Sequence, residues 1–142
     1  MAAAGTDGAL RTFDARDGTP RGTFAGNGWV NDLDFRADRI AMGGRGKEIR
    51  VYDASGALVR VLPYGRNVER VSLSYDGKRC VASSGAKTAA MVWNVDSGQP
   101  MARLDAGEGV RNARFSCARQ GSSGYLLAGC AGHSKIATWE IA

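Results

Sequence analysis

The sequence predicts an all-β chain built from four-stranded antiparallel meanders that recur about every forty residues. Three observations predict it. Four short runs end in an aromatic followed by an acid or its amide: Leu10-Arg-Thr-Phe13-Asp14, Ile49-Arg-Val-Tyr52-Asp53, Met91-Val-Trp93-Asn94 and Ile136-Ala-Thr-Trp139-Glu140, with the aromatics 39, 41 and 46 residues apart. A second marker, a valine with apolar residues three and five places on, follows the first three aromatics by 17, 16 and 17 residues: Val30, Leu33, Phe35, then Val68, Val71, Leu73, then Val110, Ala113, Phe115. Two independent markers that hold phase over three periods identify a repeat. Finally, the 20 glycines among 142 residues are roughly twice the average share of about 7%. With only 3 prolines and no Gly-X-Y period, they punctuate turns.

The stretch from Val68 to Leu104 shows the unit most fully. An alternating run (Val68, Val71, Leu73) meets an Asp76-Gly77 turn, and a second run follows (Cys80, Val81, Ala82, Ser83). After a glycine-containing break comes a third run closing on Trp93. An Asp96-Ser97-Gly98 turn and a fourth run, Met101 to Leu104, complete it. Short runs separated by such turns are the signature of a meander.

Composition bounds the rest. The net charge of +5, from 19 Lys and Arg against 14 Asp and Glu, is dispersed, which argues for a solvated surface and against a nucleic-acid footprint. No apolar run nears the about 20 residues that span a bilayer, and the opening MAAAG has neither the basic nor the apolar region of a signal peptide. Cys80, Cys117 and Cys130 are odd in number and widely spaced, as small buried residues of a reducing compartment would be. The expected location is cytoplasmic or cytosol-facing, with the nucleus as an alternative.

On these markers the chain resembles a run of WD40 repeats, the four-stranded blades of a β-propeller, along essentially its whole length. The resemblance implies a WD40-like propeller segment of about three and a half blades, one partial propeller domain over 1–142. With strands a to d counted outward from the axis, the first blade (1–24) has strand b at Met1 to Thr6, c at Ala9 to Ala15 and d at Arg21 to Phe24. The second runs over 29–62 with a short a–b turn at Asp38-Arg39, and the third over 68–104. The fourth (110–142) carries an insertion, Ala118 to Gly124, then strand b at Tyr125 to Cys130 and strand c at Lys135 to Ile141.

Blade physics accounts for the residue choices. Sheets packed on both faces need nearly continuous apolar central strands. The strand-c aromatics Phe13, Tyr52, Trp93 and Trp139 are expected to fill the wedges between sheets, each ring burying about 150–250 Å². Small residues in strand b (Ala3, Ala4, Gly43, Gly44, Ala82, Ser83, Ala128, Gly129) suit the crowded axis. The family's Gly-His before strand a is missing: Ala25-Gly26, Pro63-Tyr64 and Asp105-Ala106 stand there, and only the third blade keeps the strand-b serine, Ser83. Without that histidine network the blades are expected to depend on packing alone. Propellers close with about 4–8 blades, and open blade faces expose apolar surface and strand edges. The expectation is therefore a fragment of a longer protein, or ends covered by another chain.

Catalytic patterns are wanting. Gly46-Lys47 is followed by Glu48, and Lys87-Thr88 lacks a preceding glycine, so neither forms a phosphate cradle. His133 is the only histidine, too little for a Ser-His-Asp arrangement or, with Cys130, for zinc. No cofactor, metal or catalytic residue is expected, and the reading is a non-enzyme. The d–a and b–c loops, which crowd one rim in such propellers, offer Asn27, Trp29, Arg45, Lys47, Tyr64, Arg66, Asn67, Lys87, Arg111 and His133. Aromatics and arginines of this kind make interface hot spots. The resemblance thus implies a scaffold that mediates protein–protein interactions within a larger assembly. Two alternatives stand beside it. The insertion after Ala113-Arg-Phe-Ser116, the missing histidines and Val92-Trp93 resemble the divergent propeller that acts as a guanine-nucleotide exchange regulator of the COPII-coat GTPase in ER-to-Golgi transport. The positive charge leaves a ribonucleoprotein-associated propeller as the other.

Overall fold

The computed structural model of the protein describes residues 1–26, 28–85, 88–107, 109–116, 125–131 and 135–141. Among these, fourteen strands form four antiparallel sheets. Strands β1 (Ala2–Ala4), β2 (Ala9–Phe13) and β3 (Pro20–Ala25) make the first; β4 (Val30–Arg36), β5 (Arg39–Gly44), β6 (Glu48–Asp53) and β7 (Leu58–Pro63) the second. The third holds β8 (Arg70–Leu73), β9 (Arg79–Ser83), β10 (Ala90–Asn94) and β11 (Pro100–Leu104), and the fourth β12 (Val110–Phe115), β13 (Tyr125–Ala131) and β14 (Lys135–Ile141). Within each sheet the strands pair in chain order, and β4, β8 and β12 lie side by side on the inner edge. The chain is all-β, with the WD40-like blades of a partial propeller.

Most strand ends fall within a residue or two of those expected. The start of β8 differs by two residues for a visible reason: the Val68 N–H donates to the Gly44 carbonyl of the second blade at 2.9 Å, outside its own sheet. The insertion 118–124 lies outside the described residues.

Alternation within the strands turns one set of side chains to each neighbouring blade. Leu10, Ile40, Met42 and Tyr52 cluster between the first and second blades. Ile49, Val51 and Leu62 meet Val71, Leu73 and Trp93 between the second and third. Val81, Val92 and Leu104 meet Val110, Phe115 and Ile141 between the third and fourth. Central strands β5 and β9 are buried almost throughout. Tyr52 and Trp93 are buried at 3% and 2% exposure, and Trp139 is half-buried against the last cluster. Phe13 is half-buried but joins none of these three clusters.

Two of the strand-b glycines are forced by contact. A Cβ on Gly43 would stand 2.5 Å from a Val68 methyl, and one on Gly44 would stand 1.9 Å from the Trp29 carbonyl oxygen. Non-glycine backbone strain sits at Ala37, in the β4–β5 turn, with φ of 53°.

The blades do not rest on packing alone, and here the sequence reading is corrected. Asp32 Oδ2 accepts the Val71 N–H at 2.9 Å, and Asp34 Oδ2 accepts the Leu73 N–H at 2.8 Å and the Ser72 hydroxyl at 3.2 Å. Ser72, at the register position of Asp34 one blade on, in turn accepts the Phe115 N–H at 3.3 Å. Arg114 reaches back, donating to the Val71 carbonyl at 2.8 Å and to Asp32 at 3.0 Å. Ser83 bonds the Arg111 carbonyl at 3.0 Å. The missing histidine network has a replacement along the axis, made of acids and hydroxyls on one blade and backbone donors on the next.

Two stability predictions follow from this geometry. Gly44→Ala should cost roughly 1–3 kcal/mol in urea unfolding, because the atoms it strikes are backbone and cannot rotate away. Asp34→Ala should cost roughly 1–3 kcal/mol by leaving a buried donor unpaired, with loss of hydrogen-exchange protection at the Leu73 amide; Asp38→Ala, at an exposed turn, should stay within about 0.5 kcal/mol.

Candidate functional site

One end of the blades is gathered by backbone hydrogen bonds between d–a and b–c loops. Gly26 N–H donates to the Gly8 carbonyl, Arg45 N–H to Trp29, Tyr64 and Gly65 N–H both to Lys47, and Val110 N–H to Thr88. Lys47, which accepts the Tyr64 and Gly65 N–H groups, has a left-handed backbone, φ 63°.

On this rim the structure brings Trp29 and Arg45 together. Trp29 lies just outside β4, not within it, and is 43% exposed. The Arg45 guanidinium sits over its ring, 4.1 Å from the centroid, a contact worth about 0.5–1 kcal/mol at an exposed site. Arg66 and Asn67 are exposed in the loop leading to β8, and Arg111 is exposed on β12. Asn27, Lys87 and His133 lie outside the described residues. Nearby, Asp7 is held below the usual carboxylate range first by its bond to Arg11 and then by capping the Ala9 N–H.

Tyr64 behaves differently from the rest. Its ring meets Trp93 edge to face, with centroids 5.7 Å apart. Both line a cavity of about 510 Å³ between the second and third blades, with Arg66 and, from strands β10 and β11, Met91, Pro100 and Arg103. Sequence reasoning missed the β10 and β11 contributors because it looked for binding residues only in loops. The register that pairs Met91 with Arg103 and Trp93 with Pro100 was the available signal, since paired residues share a face.

No protein-family model matches the chain. Over 95 residues it is 30% identical to the small ribosomal subunit protein RACK1y of Oryza sativa subsp. japonica, a WD40 protein. The aligned stretch takes in 63% of this chain and 28% of that relative, so the chain spans under a third of the relative it matches.

Among the described residues no group of three or more His, Cys, Asp and Glu is placed to hold a metal ion, and no helix is long and apolar enough to cross a membrane. Cys80 is fully buried, and burial, then the charge of Asp34, push its thiol far up, away from the nucleophilic thiolate. In native buffer at neutral pH, Cys80 should resist labelling by iodoacetamide and become labelled only on unfolding, as peptide mapping by mass spectrometry would show.

Proposed function

We propose that this chain is the WD40-type propeller segment of a non-catalytic scaffold, and that its d–a and b–c rim binds protein partners within a larger assembly. The observation that carries the reading is the exposed Trp29 held under Arg45 on a rim fastened by backbone hydrogen bonds. A large aromatic fixed in place and left in water stabilises little by itself. Covered by a partner, it would bring substantial apolar area into an interface at low entropic cost. Lys47, Arg66, Asn67 and Arg111 would then form the polar surround. The similarity to RACK1y supports WD40 kinship and, with it, a protein-binding role and a cytosolic setting. Neither the GTPase-regulator reading nor the ribonucleoprotein reading gains support from the fold or from that similarity.

The test compares proteins captured by the full-length protein with those captured by Trp29→Ala/Arg45→Glu and by Arg16→Glu, which alters an exposed c–d turn. Lysates are nuclease-treated, and quantitative mass spectrometry is the readout. Partners should fall at least about 10-fold with the rim variant, in line with loss of a hot spot, and persist with Arg16→Glu. Equal capture by all three would overturn the rim assignment.

A further inference from the structure

The cavity between the second and third blades has a lining of one electrostatic sign. Its apolar lining includes Trp93, Met91 and Pro100. Its charged lining residues are Arg66 and Arg103, and no carboxylate lines it, with Glu69 near enough for its charge to act on Tyr64. The Arg103 guanidinium does pair with Asp105 at 3.1 Å, but both side chains are exposed, at 68% and 49%. Such a pair is worth about 0–1 kcal/mol, so a second acid can take it over. The Tyr64 hydroxyl is buried and has no hydrogen-bond partner. Thr88 stands beside it and interacts with it, but makes no hydrogen bond of ordinary length to it; the Thr88 proton goes to the Ser84 carbonyl at 2.6 Å. Burial raises the Tyr64 phenol above its ordinary range, so it stays a donor.

A buried donor left without an acceptor is uncommon, because it costs about 1–3 kcal/mol unless something bonds to it. The preceding wedge shows the contrast: there Tyr52 donates its hydroxyl to the Ala25 carbonyl at 2.9 Å. We propose that the groove between the second and third blades binds an acidic linear peptide. An apolar side chain of that peptide would lie over Met91 and the Tyr64 ring, and a neighbouring carboxylate would pair with Arg66 and Arg103 and take the Tyr64 hydroxyl as a donor once that ring turns out of its buried position. A peptide fits better than an inorganic anion because apolar residues line the groove together with the donors. A nucleic-acid strand would need positive charge continuing along its backbone, and this groove has two arginines. The site stands apart from the rim's Trp29–Arg45 pair and does not depend on it.

The test pans phage-displayed random short peptides against the full-length protein, with counter-selection on Arg66→Ala/Arg103→Ala. Enriched peptides should carry an aromatic or branched apolar residue next to Asp or Glu. Measured by fluorescence polarisation, their affinity should fall roughly 10-fold or more in Arg66→Ala/Arg103→Ala and about 3- to 10-fold in Tyr64→Phe, which keeps the ring and removes the donor. Trp29→Ala/Arg45→Glu should bind them as the wild type does, which separates failure of this groove from failure of the rim. Failure to enrich any peptide would overturn the proposal, as would enriched peptides without acids, indifference to both groove variants, or displacement by inorganic phosphate or oligouridylate at concentrations comparable to the peptide's.

Discussion

The innermost strand of a blade has a sheet partner on one side only. Its other edge faces the axis, where backbone donors are screened from water and no further strand supplies acceptors. Everything else in this molecule depends on how those donors are satisfied. Asp32 and Asp34 answer for the third blade, and Ser72 answers for the fourth. The same register position does the work in both wedges, with a carboxylate in one and a hydroxyl in the other. A bond from a charged acceptor is the stronger of the two, and the shorter distances to Asp34 agree with this. The caps also set the angular position of each blade, since a displaced blade would lose them together.

Radial geometry explains why one wedge can be both core and groove. Near the axis the second and third blades are close enough that a glycine is required, as the contact of Gly43 with Val68 shows. Farther out they diverge, and a large ring must bridge the gap. Between the first and second blades Tyr52 does so, helped by Phe24, which lies directly over Gly56. Between the second and third, Trp93 fills the inner part and Tyr64 leans on it from the loop. Beyond them prolines face the gap, and the space stays open.

The architecture was legible because it is periodic: aromatic ends, valine-led strands and glycine turns each recur, and every recurrence repeats the same local physics. Tyr52 and Trp93 are buried between blades, as a ring at a fixed register of a repeat would be. The axial caps were not read, since each joins residues about forty positions apart with no local mark. A hint existed in β4, where two acids alternate with Leu33 and Phe35, placing both carboxylates on one face of the strand. On the rim, the Trp29–Arg45 stack joins residues of two different loops, which composition does not announce. The groove arises from strand faces, which a search confined to loops passes over.

Arg114 gives the array a property that repeats usually lack. In an ideal stacked protein each unit touches only its neighbours, so its cooperativity resembles a one-dimensional chain of nearest-neighbour couplings. Arg114 belongs to the fourth blade, yet it holds a carbonyl of the third and a carboxylate of the second at once. Opening the middle unit alone would therefore break bonds on both flanks and a bond between the flanks themselves. That second-neighbour bond adds a coupling between the second and fourth blades to the contacts each makes with the third.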